Sequence, residues 1–429
     1  MPGLPRALAP LRHPRYRLLA ASLALSLLTN STFAVAVVWQ VVALEGGPAE
    51  LSLATGLQAG GMLASTLLGG ALADRVPQRH ILLAVALVQT AGLALLAVLS
   101  LTGSLTLWQL AGVALVGGLA NGLYYPAYSA LVPALLPEDQ LLAANGLEGT
   151  MRPVLYQATG PALAGGLIAA TSPGVALAVT GAAALGAAVC VAALPATAVR
   201  REGVRPHPVR GLFADMGEGF AYMVRTPWLL ATLVFASLMI LVMIGPFEVL
   251  APFAIKDRAG GGPFEHALVL AAFGLGGAVG SMTVASLRLP RRYLTVMNLL
   301  WGLGCVPLVV FGTTTHLAVM IVAGLVTGGT MQAGMVIWGT LLQRRVPPAL
   351  LGRVSSLDFF VSTAFMPLSM ALAGPVSELI GLSATFLVAG LVPPVLALVV
   401  VLAARLPADE LAHPLDRRPR QDAVASSAL

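Results

Sequence analysis

Three charged side chains interrupt apolar stretches of this sequence and could bind a proton or an ionic group. Glu148 and Arg152 stand four residues apart, so in a helix they lie on one face. The pair fits either a proton or substrate site or an internal ion pair that neutralises both charges, and we favour the ion pair. Glu248 stands two residues after Pro246 in another apolar run. An acid beside a helix-breaking proline is the best candidate for a proton carrier, and the alternative is a residue of an outer vestibule.

The segments that position these residues are long and apolar. Of 429 residues, 58% are hydrophobic and 10% are charged, whereas soluble proteins carry about 25% charged residues. Apolar runs of the roughly 20 residues needed to cross a bilayer recur along nearly the whole chain. The runs are continuous rather than alternating, which favours helices over a barrel. We predict an all-α integral membrane protein with twelve transmembrane helices, at approximately 17–43, 51–73, 80–101, 105–131, 141–171, 174–195, 227–255, 265–287, 293–312, 316–342, 350–380 and 383–404.

The basic residues predict the orientation in the membrane. With the N-terminus inside, only Lys256 and Arg258 of the 24 Lys and Arg residues fall in outer loops, and Arg152 lies within a span. This asymmetry predicts a multi-pass protein of the cytoplasmic (inner) membrane with both termini cytoplasmic. The positive net charge therefore indicates contact with membrane lipids, not with nucleic acid. Cys190 and Cys305 fit a helix core, and no His, Cys and carboxylate spacing predicts a metal site or a cofactor.

The chain divides into two halves of six spans. We predict an N-terminal half at 1–195, a cytoplasmic linker with an amphipathic helix at 196–226, a C-terminal half at 227–405 and a cytoplasmic tail at 406–429. At an offset of 210 residues, Pro137 matches Pro347 and Glu148 matches Asp358. Two related halves imply a substrate path between them near the bilayer midplane.

The short charged loop between spans 2 and 3 resembles the signature of the major facilitator superfamily. Four of its residues match the signature, Pro77 and Gln78 depart from it, and the likeness extends over about 15–405. The resemblance implies two pseudo-symmetric six-helix halves that work by alternating access. The run Tyr125-Pro126-Ala127 is similar to the branch of enterobactin exporters and macrolide efflux proteins. The matching loop residues are Gly70, Asp74, Arg75 and Arg79.

The same loop is expected to form a gate on the cytoplasmic side. Asp74 would face the positive N-terminal end of span 11, and Asp358 in that span would pair with a loop arginine such as Arg75. These contacts would hold the cytoplasmic side closed while the outer side is open.

Span 5 contains a second family-like pattern. It resembles the Gly-Pro-x-x-Gly-Gly signature of proton-coupled antiporters, with one extra residue before the glycine pair. The alternative is a generic hinge, because proline bends a helix and glycines allow close packing. An arginine that many proton-coupled members place in helix 4 is not evident in Val113–Asn121. The pattern consists of Gly160, Pro161, Gly165 and Gly166.

Neutral polar residues inside the spans provide further candidates. Spans 1, 4, 7 and 10 line the cavity in the superfamily, which singles out Asn30, Asn121 and Gln332. Each is a candidate for contact with substrate, although a single such residue more often makes a hydrogen bond between helices.

Together these patterns predict a monomeric secondary active transporter and not an enzyme, because no nucleophile and base or metal constellation is present. We expect proton-coupled export of a small amphipathic molecule, such as a drug, a macrolide or a siderophore-like compound. The alternatives are a lipid or lysophospholipid flippase and a non-transporting membrane sensor or assembly partner.

Overall fold

The computed structural model describes residues 6–73, 76–137, 140, 143–144, 147–148, 151–195, 220–287 and 289–415. These residues are helical almost throughout, which confirms the all-α prediction. In the described part of the chain, twelve helices run back and forth through the bundle, and a short helix, α13 (Leu406–Ala412), follows them. The twelve are α1 (Pro14–Ala43), α2 (Pro48–Ala73), α3 (Gln78–Leu101), α4 (Leu107–Leu135), α5 (described without interruption over 151–170), α6 (Pro173–Ala192), α7 (Pro227–Ala259), α8 (Pro263–Ser286), α9 (Tyr293–Thr313), α10 (Leu317–Arg345), α11 (Pro348–Ile380) and α12 (Leu382–Ala403).

Length and composition suit these helices to a bilayer. Nine helices in the described part of the chain are long and apolar enough to cross one. Capping residues mark some of the helix boundaries. Thr106 and Gln109 form a reciprocal capping box at the start of α4, and Gly260 ends α7 in a left-handed conformation with φ of 63°. Apart from the start of span 5, which lies outside the described residues, the predicted spans agree with the observed helices to within a few residues.

The two halves repeat one packing pattern, which accounts for the internal repeat in the sequence. We call α1–α6 the first half and α7–α12 the second half. In the first half α2 packs on α4, and α6 packs on α1 and α3; in the second half α8 packs on α10, and α12 packs on α7 and α9. The predicted residue bounds of the halves remain a prediction, and most of the predicted linker lies outside the described residues, apart from a helical turn over 220–225.

The halves meet through two equivalent pairs of helices, α2 with α11 and α5 with α8. The halves are in contact near the end of the bundle that carries the loops after α1, α7 and α11, which we call the far end. There the backbone N–H of Gly374 donates a hydrogen bond of 2.6 Å to Ser52 Oγ, and the rings of Trp39 and His266 lie 6.5 Å apart. The far end is therefore closed.

The opposite end, where α1 begins and α12 ends, we call the terminal end. Here α13 holds α9 and α10 together. Arg345 at the end of α10 donates two hydrogen bonds to Asp409, at 2.5 and 3.3 Å, and its guanidinium lies 4.5 Å from the ring centroid of Trp228. Glu410 is buried and accepts hydrogen bonds from the backbone N–H and hydroxyl of Thr295, at 2.5 and 3.1 Å. This carboxylate therefore caps the first turn of α9.

Candidate functional site

A π-helical segment in α5 is the first part of the candidate site. Residues Arg152–Thr159 form this segment, and an α-helix follows from Gly160. Pro161 has no N–H, so it cannot bond the carbonyl of Tyr156 five residues earlier, as a π-helix would require. Ser31 of α1 donates its hydroxyl to this carbonyl instead. A neighbouring helix therefore satisfies the backbone group that the proline leaves without a donor.

A second π-helical segment, in α7, has the same construction. It spans Pro246–Leu250. Pro246 leaves the carbonyl of Leu241 without its i+5 donor, and the hydroxyl of Ser369 in α11 donates to it at 2.7 Å. The N–H of Gly245 donates back to the same hydroxyl at 2.7 Å. A Cβ at Gly245 would collide with the backbone of Ser369, so this close approach requires glycine.

Both π segments lie at the interface between the halves. The segment in α5 contacts α1 of its own half and α8 of the other, while the segment in α7 contacts α11 of its own half and α2 of the other. Segments of this kind occur frequently at functional sites, since they redirect side chains and weaken the regular backbone ladder. The two segments are therefore irregular stretches of helix at the contact between the halves.

Charged and aromatic side chains of the two segments interact electrostatically. Glu248 is exposed, although its neighbours Phe247, Val249 and Leu250 are buried. Its carboxylate interacts electrostatically with Tyr156, and so does the guanidinium of Arg152. An acid of the second half thus lies in the same electrostatic environment as a tyrosine and an arginine of the first.

Arg152 is held by two partners in its own half. Its Nη2 lies 2.8 Å from Glu148 Oε1 in an i,i+4 ion pair, and its guanidinium lies 5.1 Å from the ring centroid of Tyr125. The side chain of Arg152 is 44% exposed and that of Glu148 14%. The structure therefore contains the ion pair that the sequence analysis favoured, with the arginine still accessible.

The antiporter-like residues lie at close helix contacts of α5. Gly160 faces Ser31 and leaves no room for a Cβ there, and Gly165 packs at the backbone of α8, where a Cβ would lie 2.5 Å from that of Ala267. Around Gly166 there is open space. The pattern combines the proline that shapes the π segment with two glycines that allow contact with α1 and α8.

The predicted gating residues are only partly described. Asp74 and Arg75 lie outside the described residues, and Gly70 belongs to α2. Arg79, in the first turn of α3, donates to the carbonyl of Ala192 in the last turn of α6, at 2.6 Å. Asp358 accepts a hydrogen bond from the indole of Trp338, at 3.0 Å. In the first half, Glu148 interacts electrostatically with Tyr128, which stands 210 residues before Trp338.

The neutral polar candidates lie in two different places, one in each half. Asn30 and Asn121 form a network with Gln89 in the first half: Asn121 Nδ2 donates to Asn30 Oδ1 at 2.6 Å, and Gln89 Nε2 donates to Asn121 Oδ1 at 2.8 Å. Gln332 of α10 lies over Gly277 of α8 in the second half, with its Cγ 2.9 Å from the position of a Cβ there. Asn30 and Asn121 thus make the hydrogen bonds between helices that were their alternative role.

The sequence analysis did not single out Ser31, Ser369 or Tyr156. A serine within an apolar helix gives no signal by itself, because its partner belongs to another helix. A usable signal is a proline inside a span, because the carbonyls four and five residues before it need a donor from elsewhere. Pro161 and Pro246 both meet this criterion.

Similarity to known proteins supports the interpretation of the chain as a membrane transporter. The sequence matches the family described as a transmembrane secretion effector over residues 6–426. Macrolide efflux protein A of Streptococcus pyogenes is 24% identical over 378 residues, covering 86% of this chain and 91% of that protein. The multidrug efflux pump Tap of Mycolicibacterium fortuitum is 28% identical, with 88% and 92% covered. The enterobactin exporter EntS of Shigella boydii is 28% identical, with 80% and 81% covered.

Solved structures share the fold at low sequence identity. The crystal structure of the nucleoside transporter NupG has a TM-score of 0.74 at 13% identity and covers 91% of this chain and 99% of its own. An inward-facing, unoccupied bacterial homologue of the lysosomal transporter Spinster has a TM-score of 0.66 at 14% identity, with 92% and 98% covered. Two six-helix halves, the match over nearly the whole sequence and these relatives all agree, and the chain belongs to the transmembrane secretion effector family of the major facilitator superfamily.

Proposed function

We propose that this protein exports a small amphipathic molecule across the cytoplasmic membrane in exchange for protons, and that Glu248 carries the proton. The observation that carries the proposal is the accessible carboxylate of Glu248 within the π segment of α7, in electrostatic range of Tyr156 in the π segment of α5. The efflux activities named for the relatives support export, and their names give the compounds to test first: macrolides, drugs and the siderophore enterobactin.

An acid at the position of Glu248 indicates a function, because charge within a membrane is costly. An ionised carboxylate within a span is costly unless it has water or a partner, and such residues mark ion and proton paths by default. Most side chains around Glu248 on its own helix are apolar and buried, and Pro246 fixes the irregular backbone that presents it. A group held in this way gains from binding a proton or from accepting hydrogen bonds from a substrate, and in the proposed cycle the two compete.

This competition provides the coupling. When the site faces the cytoplasm, a substrate with hydrogen-bond donors displaces the proton from Glu248. When the site faces outward, a proton replaces the substrate and neutralises the carboxylate, so that the empty protein can return. Arg152 stays paired with Glu148 at 2.8 Å and therefore adds polarity without an unpaired positive charge.

The distribution of basic residues supports the orientation. Arg344 and Arg345 lie at the terminal end, as do the basic residues before α1, whereas Lys256 and Arg258 lie at the far end. The positive-inside rule then assigns the terminal end to the cytoplasm and makes this a state closed to the outside.

Transport into inverted membrane vesicles tests the proposal. An imposed gradient, acidic inside the vesicle, should drive uptake of an exported compound such as erythromycin by the unmodified protein. Glu248→Gln should abolish this uptake and leave exchange of labelled for unlabelled substrate intact, since exchange needs no net proton movement. The matched control is Glu378→Gln, the same change at an exposed glutamate near the far end of α11. Full gradient-driven uptake by Glu248→Gln would reject the proton-carrier role.

A further inference from the structure

A side cavity of about 520 Å³ lies within the first half, apart from the π segments, and is lined by α1, α2, α3 and α4. Phe33, Leu93 and Val113 form part of its apolar wall. Val88 of α3 and Val116 of α4 also line it and are 38% and 51% exposed. Because α3 packs mainly on α4 and α6 of its own half, its exposed face points away from the second half. The cavity therefore opens between α3 and α4 toward the bilayer.

The inner end of the cavity is lined by amides. Asn30, Gln89 and Asn121 hold one another in fixed orientations through their hydrogen bonds, and Asn30 Nδ2 also donates to the carbonyl of Ser26 at 2.9 Å. Gln89 Nε2 is used as a donor, while its Oε1 accepts no hydrogen bond from the described residues. Gln58, half-buried on α2, makes no side-chain hydrogen bond within the described part of the chain. The amide group of Gln58 and the Oε1 atom of Gln89 therefore remain available to a ligand.

Unsatisfied amides are costly at this depth. Burying such a group without a hydrogen-bond partner costs about 1–3 kcal/mol in protein mutational data, and the hydrocarbon region supplies no water to satisfy it. A ligand that brought a donor or acceptor to Gln58 and Gln89 would recover this cost. The cavity volume is also within the range of about 300–1,000 Å³ typical of small-molecule sites, which combine apolar walls with a few polar groups.

We propose that this cavity binds an amphipathic molecule that enters from the bilayer between α3 and α4. Its apolar part lies against Val88, Leu93 and Val116, and a neutral ester, carbonyl or hydroxyl group bonds Gln58 and Gln89. The polar group is neutral because the described residues that line the cavity carry no charge. The proposal does not require proton coupling or transport, and a bilayer lipid and an exported compound share this chemistry.

Photolabelling in lipid nanodiscs tests the site. The probe is a phosphatidylglycerol with a diazirine in its acyl chain, and mass spectrometry locates the labelled peptides. Labelling should concentrate on α3 and α4. Gly117→Phe fills the cavity from a position where a Cβ meets nothing within 4 Å, and should reduce that labelling at least fivefold. Gly339→Phe in α10, where the space for a Cβ is equally open, is the matched control and should leave it unchanged.

A second variant keeps the shape of the cavity and removes its polar group. Gln58→Leu should lower labelling by the ester lipid and leave labelling by a diazirine-bearing alkane unchanged. Erythromycin that competes with the lipid label would identify an exported compound as an occupant, and erythromycin that does not compete would identify a resident lipid. Labelling spread evenly over the lipid-facing helices, and unaffected by both Gly117→Phe and Gln58→Leu, would overturn the proposal.

Discussion

Ser31 of α1 donates its hydroxyl to the backbone carbonyl of Tyr156, the group that Pro161 leaves without a donor in the π segment of α5. Ser369 of α11 does the same for Leu241, before Pro246. The two halves thus stabilise their irregular helices by the same means.

The hydrogen bond from Ser31 to the carbonyl of Tyr156 predicts a contribution to stability that depends on Pro161. Ser31→Ala should lower the free energy of unfolding by about 1 kcal/mol, between the average for hydrogen bonds in membranes and the cost of an orphaned buried carbonyl. In a Pro161→Ala background the loss should shrink, because alanine supplies an N–H to the helix. Unfolding in mixed micelles measures both. Ser281→Ala is the control, since that hydroxyl bonds the carbonyl of Ala278 in its own helix. Equal losses with and without Pro161 would contradict this explanation.

A second prediction concerns the close contact of α8 and α10. A Cβ at Gly328 would collide with the backbone carbonyl of Phe273, whereas Gly339 in the same helix has open space. Gly328→Ala should therefore destabilise the protein by about 1–3 kcal/mol through overpacking. Gly339→Ala should be neutral or stabilising by up to about 1 kcal/mol, because alanine favours helix. Thermal unfolding of the two variants compares the sites, and a similar shift in both would contradict the packing argument.

Much of the fold could be predicted from the sequence, because hydrophobic length and basic loops determine spans in a bilayer. The division into two related halves could also be predicted, since Glu148 and Asp358 stand at an offset of 210 residues. The helix packing of the structure repeats in the same way. Less of the candidate site could be predicted from the sequence. Glu248 and Pro246 could be singled out by type, but their relation to Tyr156 and Ser369 depends on which helices meet across the bundle. The assignment of Asn30 to a side cavity likewise needed Gln89 of another helix.

A third prediction tests movement of the closed far end. A Cβ on Gly56 of α2 would lie 2.9 Å from that of Ala371 in α11, and a disulfide needs about 3.5–4.5 Å, so a small adjustment would admit one. Gly56→Cys combined with Ala371→Cys should form a bridge on oxidation, stop transport and recover activity on reduction. Gly56→Cys alone controls for the substitution. Transport at the normal rate by the bridged protein would mean that the far end does not open.

A fourth prediction concerns pH at the terminal end. Burial raises the pKa of the Glu410 carboxyl above its ordinary value, and hydrogen bonds from Thr295 partly offset this. An acid whose pKa is raised on folding binds its proton more tightly when folded, so its contribution to stability is largest below its unfolded pKa, about 4.3, and falls as pH rises through the folded pKa.

Docking of α13 should therefore weaken as the pH rises from about 4.3 through the raised pKa of folded Glu410. Hydrogen exchange of α13 should become faster over this range, beyond the intrinsic pH dependence measured on an isolated peptide. In Glu410→Gln that excess should vanish. The neighbouring Arg345, Asp409, Arg292 and His413 are unchanged in both proteins, so they provide a common background. An excess that persists in Glu410→Gln would assign the effect to one of them.

The central claim is that substrate and proton compete at Glu248, and proton release on binding measures this directly. Adding erythromycin, or another compound shown to be exported, to the purified protein in weak buffer should release up to about one proton per substrate bound, as linkage requires for a single competing site. Glu248→Gln should bind the same compound and release none. If Glu248→Gln releases as many protons as the unmodified protein, Glu248 is not where the two compete.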